Sequence, residues 1–347
     1  MLIRSVILRS VLFASVAQPF FAVKAEEIRV HLPPRLQWNA NGGYCGEVSM
    51  ISAGLYYGQY MSQFDARAAA IGRTPQSQGE LLLGDNDQRA ARAMRLASLE
   101  WHPAKGDLRG LRQTRSFLNW VKNCMTAGYP TIIGVFTNEY LFYGSRNPAA
   151  GDPQYDHIVP ASSVETAMAG DPQTVFLNTR MRFSDNGLWG TGARRRYFFT
   201  YPFRTFLANR SKANSPHGNI YSLPDAGRNF GIAITGIVDP GKVTLPVRVA
   251  TNKNYEQPEM VDGSNQRPRA MPLSLTVTVS GLSPHVRYKL YRYSSLDKIP
   301  VENFNLSRGN ASQSWDILIA SGSTFTMTQN ILSDEIAAYR CVAESAR

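Results

Sequence analysis

The hydrophobic period of this chain changes once, at Asp239-Pro-Gly241, and that change sets what the chain can fold into. Before it, helical spacings alternate with short apolar runs. Phe117, Trp120, Val121 and Cys124 mark one face of a helix over about Gln113–Ala127, Gly128 is placed to cap it, and Tyr129–Phe136 follows as a buried strand. After it, Leu273–Ser280 alternates with a period of two and Gly281-Leu-Ser-Pro284 turns the chain. Tyr288–Tyr293 and strand patterns at Trp315–Ala320, Thr324–Thr328 and Ile336–Val342 complete that part. The expected fold class is α+β: helices and strands over residues 26–241, then a small all-β sandwich over 242–347. At 347 residues, with 43% hydrophobic and 18% charged, the chain is long enough for two such cores.

Other elements are read from the same signals. A helix is expected from Cys45 to about Ala70, with Val48, Ile51 and Leu55 on its apolar side. Pro75–Gly79 reads as a turn, and a second helix, capped by Asp85 or Asn86, runs through Leu99. Strand patterns cover Ile28–Leu32, Thr174–Phe183, Arg196–Tyr201 and Asn229–Ile237. A polar loop, Thr137–Tyr155, ends in Asp156-His157-Ile-Val, a strand start, and Asp185–Gly190 is a turn.

Residues 1–25 read as a secretory signal peptide: Arg4 and Arg9, an apolar stretch over Val11–Val23 broken by Gln18-Pro19, and Val23-Lys-Ala25 as the cleavage site. That stretch is too short and interrupted for a membrane span, so the expectation is a secreted, extracellular protein without a transmembrane segment. The formal charge is +11, of which Arg4, Arg9 and Lys24 belong to the signal. The only dense basic cluster, Arg194-Arg-Arg196, lacks interleaved aromatics, so a solvated face is expected and nucleic acid is not an expected partner. Three cysteines, Cys45, Cys124 and Cys341, leave at least one thiol unpaired. Cys124 and Cys341 are read either as a disulfide or as two buried thiols. No Cys or His pair has metal-ligand spacing and no nucleotide loop is visible, so no cofactor is expected.

The chemistry concentrates at Asn39-Ala-Asn-Gly-Gly-Tyr-Cys45-Gly-Glu-Val-Ser49. Small residues let a substrate backbone approach, and a cysteine at a helix N-terminus sits where partial positive charge favours a thiolate nucleophile. Glu47, in the first turn, reads as a capping partner or a substrate-contacting acid. A thiol nucleophile needs a base. Of His31, His102, His157, His217 and His285, only His157 opens an apolar strand after a long loop, which would hold an imidazole rigidly at a cleft edge.

Cys45-Gly at a helix start, then Gly128-Tyr-Pro with its apolar strand, then His157 opening the next strand, resembles the papain-like cysteine peptidases. The nearest branch looks like the bacteriocin-processing, double-glycine leader peptidases and their secreted relatives. The likeness spans about Gln37 to Gly236. For residues 26–241 it implies a helical half with an antiparallel sheet. It implies a Cys45–His157 pair with a third residue orienting the imidazole, the favoured position being Asp185, with Asn178 and Asn186 as alternatives. It implies an oxyanion donor six residues before the cysteine, which here is Asn39, while Gln37 lies eight before. Gly281-Leu-Ser-Pro284 followed by Tyr288 resembles fibronectin type III modules. The expected function is a secreted thiol hydrolase cleaving peptide or amide bonds, its partner a peptide or protein substrate. Its C-terminal module would bind substrate, cell surface or matrix, or add stability. The alternative is an inactive secreted binding protein on the same scaffold, and a weaker one is acyl or glutamyl transfer at the same thiol.

Overall fold

The computed structural model describes residues 26–72, 76, 87–102, 111–152, 154–166, 176–206, 213–224, 229–253, 261–301, 304 and 308–344. The signal-peptide reading, the Asp85/Asn86 cap and all of the 75–79 turn except Gln76 lie outside them.

The elements are β1 (Glu26–Arg29), α1 (Cys45–Tyr56), β2 (Gln59–Tyr60), α2 (Gln63–Ile71), α3 (Asp87–Ala93), β3 (Leu96–Glu100), α4 (Leu111–Thr126), β4 (Thr131–Thr137), α5 (Glu139–Tyr143) and β5 (His157–Thr166). They continue as β6 (Arg180–Ser184), β7 (Phe198–Pro202), α6 (Phe203–Phe206), β8 (Tyr221–Ser222), β9 (Gly231–Ile237), β10 (Thr244–Leu245), β11 (Val247–Thr251), β12 (Pro272–Ser280), β13 (Arg287–Tyr293), β14 (Gln313–Leu318), β15 (Thr324–Leu332) and β16 (Ala337–Ala343). The fold is mixed α+β with antiparallel sheets.

The large sheet runs β3-β9-β4-β5-β6-β7, with β1 added beside the distal half of β5 and β8 beside the end of β4. Its central strands β4 and β9 are buried along most of their length, which explains their largely apolar sequences. Ile132, Ile158, Ile232 and Ile234 pack toward α1, while Ile133, Val135 and Val159 pack on Phe117, Leu118, Val121 and Met125 of α4. Helix α1 is buried from Gly46 through Leu55, as a helix enclosed by protein must be.

The remaining strands form two smaller sheets, β10-β16-β13-β14 and β11-β12-β15. Their inward residues Leu275, Val277, Leu290 and Ile317 join one core with Met50, Ile51 and Leu55 of α1. A turn closed by the Lys242 N–H on the Asp239 carbonyl (3.0 Å) separates β9 from β10, and the apolar core runs past it.

Several expected elements differ. The strand expected over Ile28–Leu32 is Glu26–Arg29, set by its pairing with β5, and the loop expected over Thr137–Tyr155 contains α5. The helix expected over Cys45–Ala70 is two helices. Gly58 takes a φ of +79°, and a Cβ there would meet Val247 at 2.8 Å, so the chain must leave the helix. It then donates β2 to β16, some 280 residues on by register (Gln59 opposite Ala338). Ser62 restarts the helix, its Oγ accepting from the Asp65 N–H at 3.1 Å. The helix expected to reach Leu99 ends at Ala93; Arg95 adopts φ +60° and Leu96 onward pairs with β9. The strand expected from Thr174 begins at Arg180, residues 176–178 forming a helical turn. The strand expected over Trp315–Ala320 is shifted to Gln313–Leu318 by its pairing with β13. Cys124 and Cys341 are separate buried thiols, which decides between the two readings left open above.

Candidate functional site

Two ends meet here: the start of α1 and the start of β5. Helix α1 begins at Cys45, with the Val48 N–H on the Tyr44 carbonyl at 2.9 Å and no side-chain cap. Asn41, Gly42 and Gly43 all have positive φ, so the approach to Cys45 is a run of left-handed residues. Arg67 of α2 fixes that run. It is wholly buried, its Nε is 2.6 Å from Glu47 Oε1, and its terminal nitrogens donate to the carbonyls of Asn41 (2.9 Å), Gln76 (3.0 Å) and Gly43. Its guanidinium also lies over the Tyr44 ring at 3.7 Å. Glu47 is 2% exposed and does not line the cleft, so it is not a contact for substrate.

Strand β5 brings His157 opposite Val135 of β4. Asp156 anchors the strand entry, its N–H on the Val135 carbonyl (3.0 Å) and its Oδ2 accepting from the Thr137 N–H (3.1 Å). The main-chain N–H of the next residue along, Ile158, favours the ionised form of the Cys45 sulfur, and the Ser49 hydroxyl links the Cys45 carbonyl (2.7 Å) with that of Ile158 (3.4 Å).

Asn186 ties the two ends together. Its Nδ2 contacts the carbonyls of Cys45 (3.1 Å) and Ile158 (2.9 Å) and the hydroxyl of Ser49 (3.1 Å), and its own carbonyl receives the Gln37 N–H (3.0 Å). It holds φ +57°, a conformation that asparagine tolerates better than most residues.

His157 is 2% exposed and its Nε2 lies 2.8 Å from the main-chain carbonyl of Asp185. A carbonyl only accepts, so Nε2 carries the proton and the lone pair of the neutral ring is on Nδ1. The orienting contact thus comes from the Asp185 backbone. Its carboxylate is turned away, accepting from the N–H groups of Gly187 (2.9 Å) and Trp189 (2.9 Å) and from the Tyr221 hydroxyl (3.0 Å). This corrects the expected role for the Asp185 side chain. Tyr221 also stacks beside His157, centroids 6.0 Å apart. Asn178 takes no part: its Oδ1 accepts from Arg204 at 2.6 Å on the surface.

Cys45 and His157 line one cleft of ≈ 520 Å³, together with Asn39 and Gln37. Asn39 is exposed. Gln37 is 9% exposed, and its Oε1 has no hydrogen-bond partner among the described residues. The Gln37 amide lies beside Gly43, where a Cβ would sit 3.7 Å from Nε2. A larger cleft of ≈ 610 Å³ beside Asp239 and Lys242 has neither thiol nor imidazole in its walls.

Burial dominates the electrostatics. The Cys45 thiol is pushed up to about 12, first by burial and then by the Glu47 carboxylate, against the Ile158 and Gly46 N–H groups and Arg67. The helix N-terminus does not prevail, so the sulfur rests as a thiol, contrary to the expected thiolate. His157 is lowered to about 4 by burial, its bond to Asp185 opposing, and stays neutral at pH 7. Asp185 is raised to about 6 by burial, against its three donors.

Residue spacing gave no sign of Arg67 or Tyr221. Asn186 was a candidate for the wrong contact; the Asp-Asn-Gly turn was the available clue. Among the described residues, no group of His, Cys, Asp and Glu could hold a metal ion, and no helix is long and apolar enough to cross a membrane. Comparison with family models, curated proteins and solved structures returned no match.

Proposed function

We propose that this protein is a thiol hydrolase acting on peptide or amide bonds, with a papain-like arrangement of residues 26–241 and a fibronectin-like C-terminal part. The observation that carries the reading is a cleft lined by both Cys45 and His157, on elements clamped together by Asn186. Cys45 attacks the carbonyl while Nδ1 of His157 takes the thiol proton, then returns it to the leaving amine. A neutral thiol and a neutral imidazole make deprotonation part of the attack, not a preceding step. The Asp185 carbonyl holds the ring and supports the imidazolium formed in passing. Gln37, buried on the cleft wall with its Nε2 beside Gly43, is a better placed oxyanion donor than the exposed Asn39; only this Nε2–H can donate, since its Oε1 accepts. Export through the N-terminal segment belongs to the same proposal.

The second reading, a binding protein without turnover, draws on the same raised thiol. A peptide-library cleavage profile separates the two. The hydrolase reading expects cleavage that Cys45→Ala and His157→Ala abolish and that Gln37→Ala lowers by about 10²–10³ in kcat, as for loss of one oxyanion donor. Uncleaved peptides, with Cys45 alkylated no faster than Cys124 or Cys341, sink it.

A further inference from the structure

The cleft contrasts with the rest of the chain. The formal charge of the protein is +11, yet no lysine or arginine is among the described residues lining the cleft, while Glu139, Asp156 and Asp262 are. The three carboxylates come from α5, the β5 entry and the segment before β12, so separate parts of the chain converge on one sign of charge. Hydrogen bonds hold them in place. Glu139 Oε1 accepts from the Thr137 hydroxyl (3.0 Å), Asp156 Oδ2 from the Thr137 N–H, and Asp262 Oδ1 from the Asn41 N–H (2.6 Å). The last of these bonds joins a carboxylate to the coil that leads into Cys45. A cleft lined by one sign of charge concentrates the opposite sign, with gains of about 10–10³ in local concentration or on-rate. The nine-tenths-buried Gln37 amide with its unpartnered oxygen marks the same cleft independently as a place where a polar ligand docks.

We infer that the Cys45 cleft selects cationic substrates, namely peptides with a lysine, arginine or other amine next to the scissile bond. The substrate class rests on the hydrolase reading; the selection for positive charge does not, and its test keeps the two apart. The probes are three thiol reagents of one reactive group: 2-aminoethyl, 2-sulfonatoethyl and methyl methanethiosulfonate. Their rates at Cys45 are read by peptide mapping and normalised to free cysteine. The cation-to-anion rate ratio is expected to exceed that of free cysteine by about 10-fold at low salt. It should shrink at high ionic strength, and by about threefold or more in Glu139→Gln/Asp262→Asn, which keeps both acceptor oxygens. The neutral reagent reports whether the variant still folds around the thiol. In a matched peptide library, lysine or arginine near the cleaved bond is expected to raise kcat/KM over glutamate by a similar factor. A ratio equal to or below that of free cysteine, with Cys45 labelled by the neutral reagent, overturns the inference. A high ratio with no peptide cleaved leaves the cationic selection standing and removes the hydrolase.

Discussion

Arg67 offers the sharpest test of how the site is held. Its side chain is fully buried, pairs with Glu47 at 2.6 Å and donates to the carbonyls of Asn41, Gly43 and Gln76. Arg67→Met keeps much of the volume but leaves the Glu47 carboxylate buried without this partner, a loss of about 3–5 kcal/mol. The three carbonyls lose charge-assisted donors as well, and each one that water cannot reach adds about 1–3 kcal/mol. The Gly43 carbonyl is only part-buried beside the open cleft, so water relieves part of that cost, and the expected total is about 5 kcal/mol. Glu47→Gln keeps an acceptor for Arg67 and is expected to cost about 2 kcal/mol. The double variant Glu47→Gln/Arg67→Met is expected to be less destabilised than the two single losses summed, because no buried charge remains. Urea unfolding followed by tryptophan fluorescence gives the stabilities, and alkylation of Cys45 in the absence of urea reads the coil. Arg67→Met should also change the Cys45 labelling rate, since the residues before the sulfur lose their anchor. A cost below about 1 kcal/mol, or full additivity in the double variant, would refute the claim that this pair sets the geometry before Cys45.

Alkylation of wild-type Cys45 should rise steadily with pH through the alkaline range, since its thiol is held up to about 12; a plateau between pH 4 and 8 would show a preformed ion pair with His157 instead. His157, lowered from 6.5 to about 4, contributes stability present above pH 6.5 and lost as pH falls toward 4, worth about 3 kcal/mol. Asp185, raised from 3.8 to about 6, works in the opposite sense: its contribution is present below pH 3.8 and lost as pH rises toward 6, again about 3 kcal/mol. The two cancel between pH 4 and 6, so urea midpoints of Asp185→Asn should climb with pH there and those of His157→Gln should fall; parallel profiles in both variants would contradict the assignment. Asn186→Ala loses the three contacts of the amide in a left-handed conformation, and is expected to cost about 3 kcal/mol against about 2 for Asn186→Gly, both read by thermal unfolding.

What could be read in the sequence was local. Cys45 at a helix start, Gly128 behind α4, the apolar run of β4 and His157 at the first position of β5 follow from spacing and turn residues, which act over a few neighbours. The alternation of β12 gave its inward face for the same reason. Tertiary structure alone decided the features that need a distant partner. Helix α1 stops at Tyr56 because Gly58 packs under Val247 and β2 finds β16 near the other end of the chain. The imidazole is held by a backbone carbonyl, which every residue carries and no side-chain pattern reveals, so Asp185 could be chosen by position but not by atom. Gln37 and Asn39 are both amides in sequence, and only burial tells them apart. The charge state of the Cys45 sulfur was misjudged for a related reason: a helix end is visible in a string of residues, while the depth at which it is buried is a property of everything packed around it.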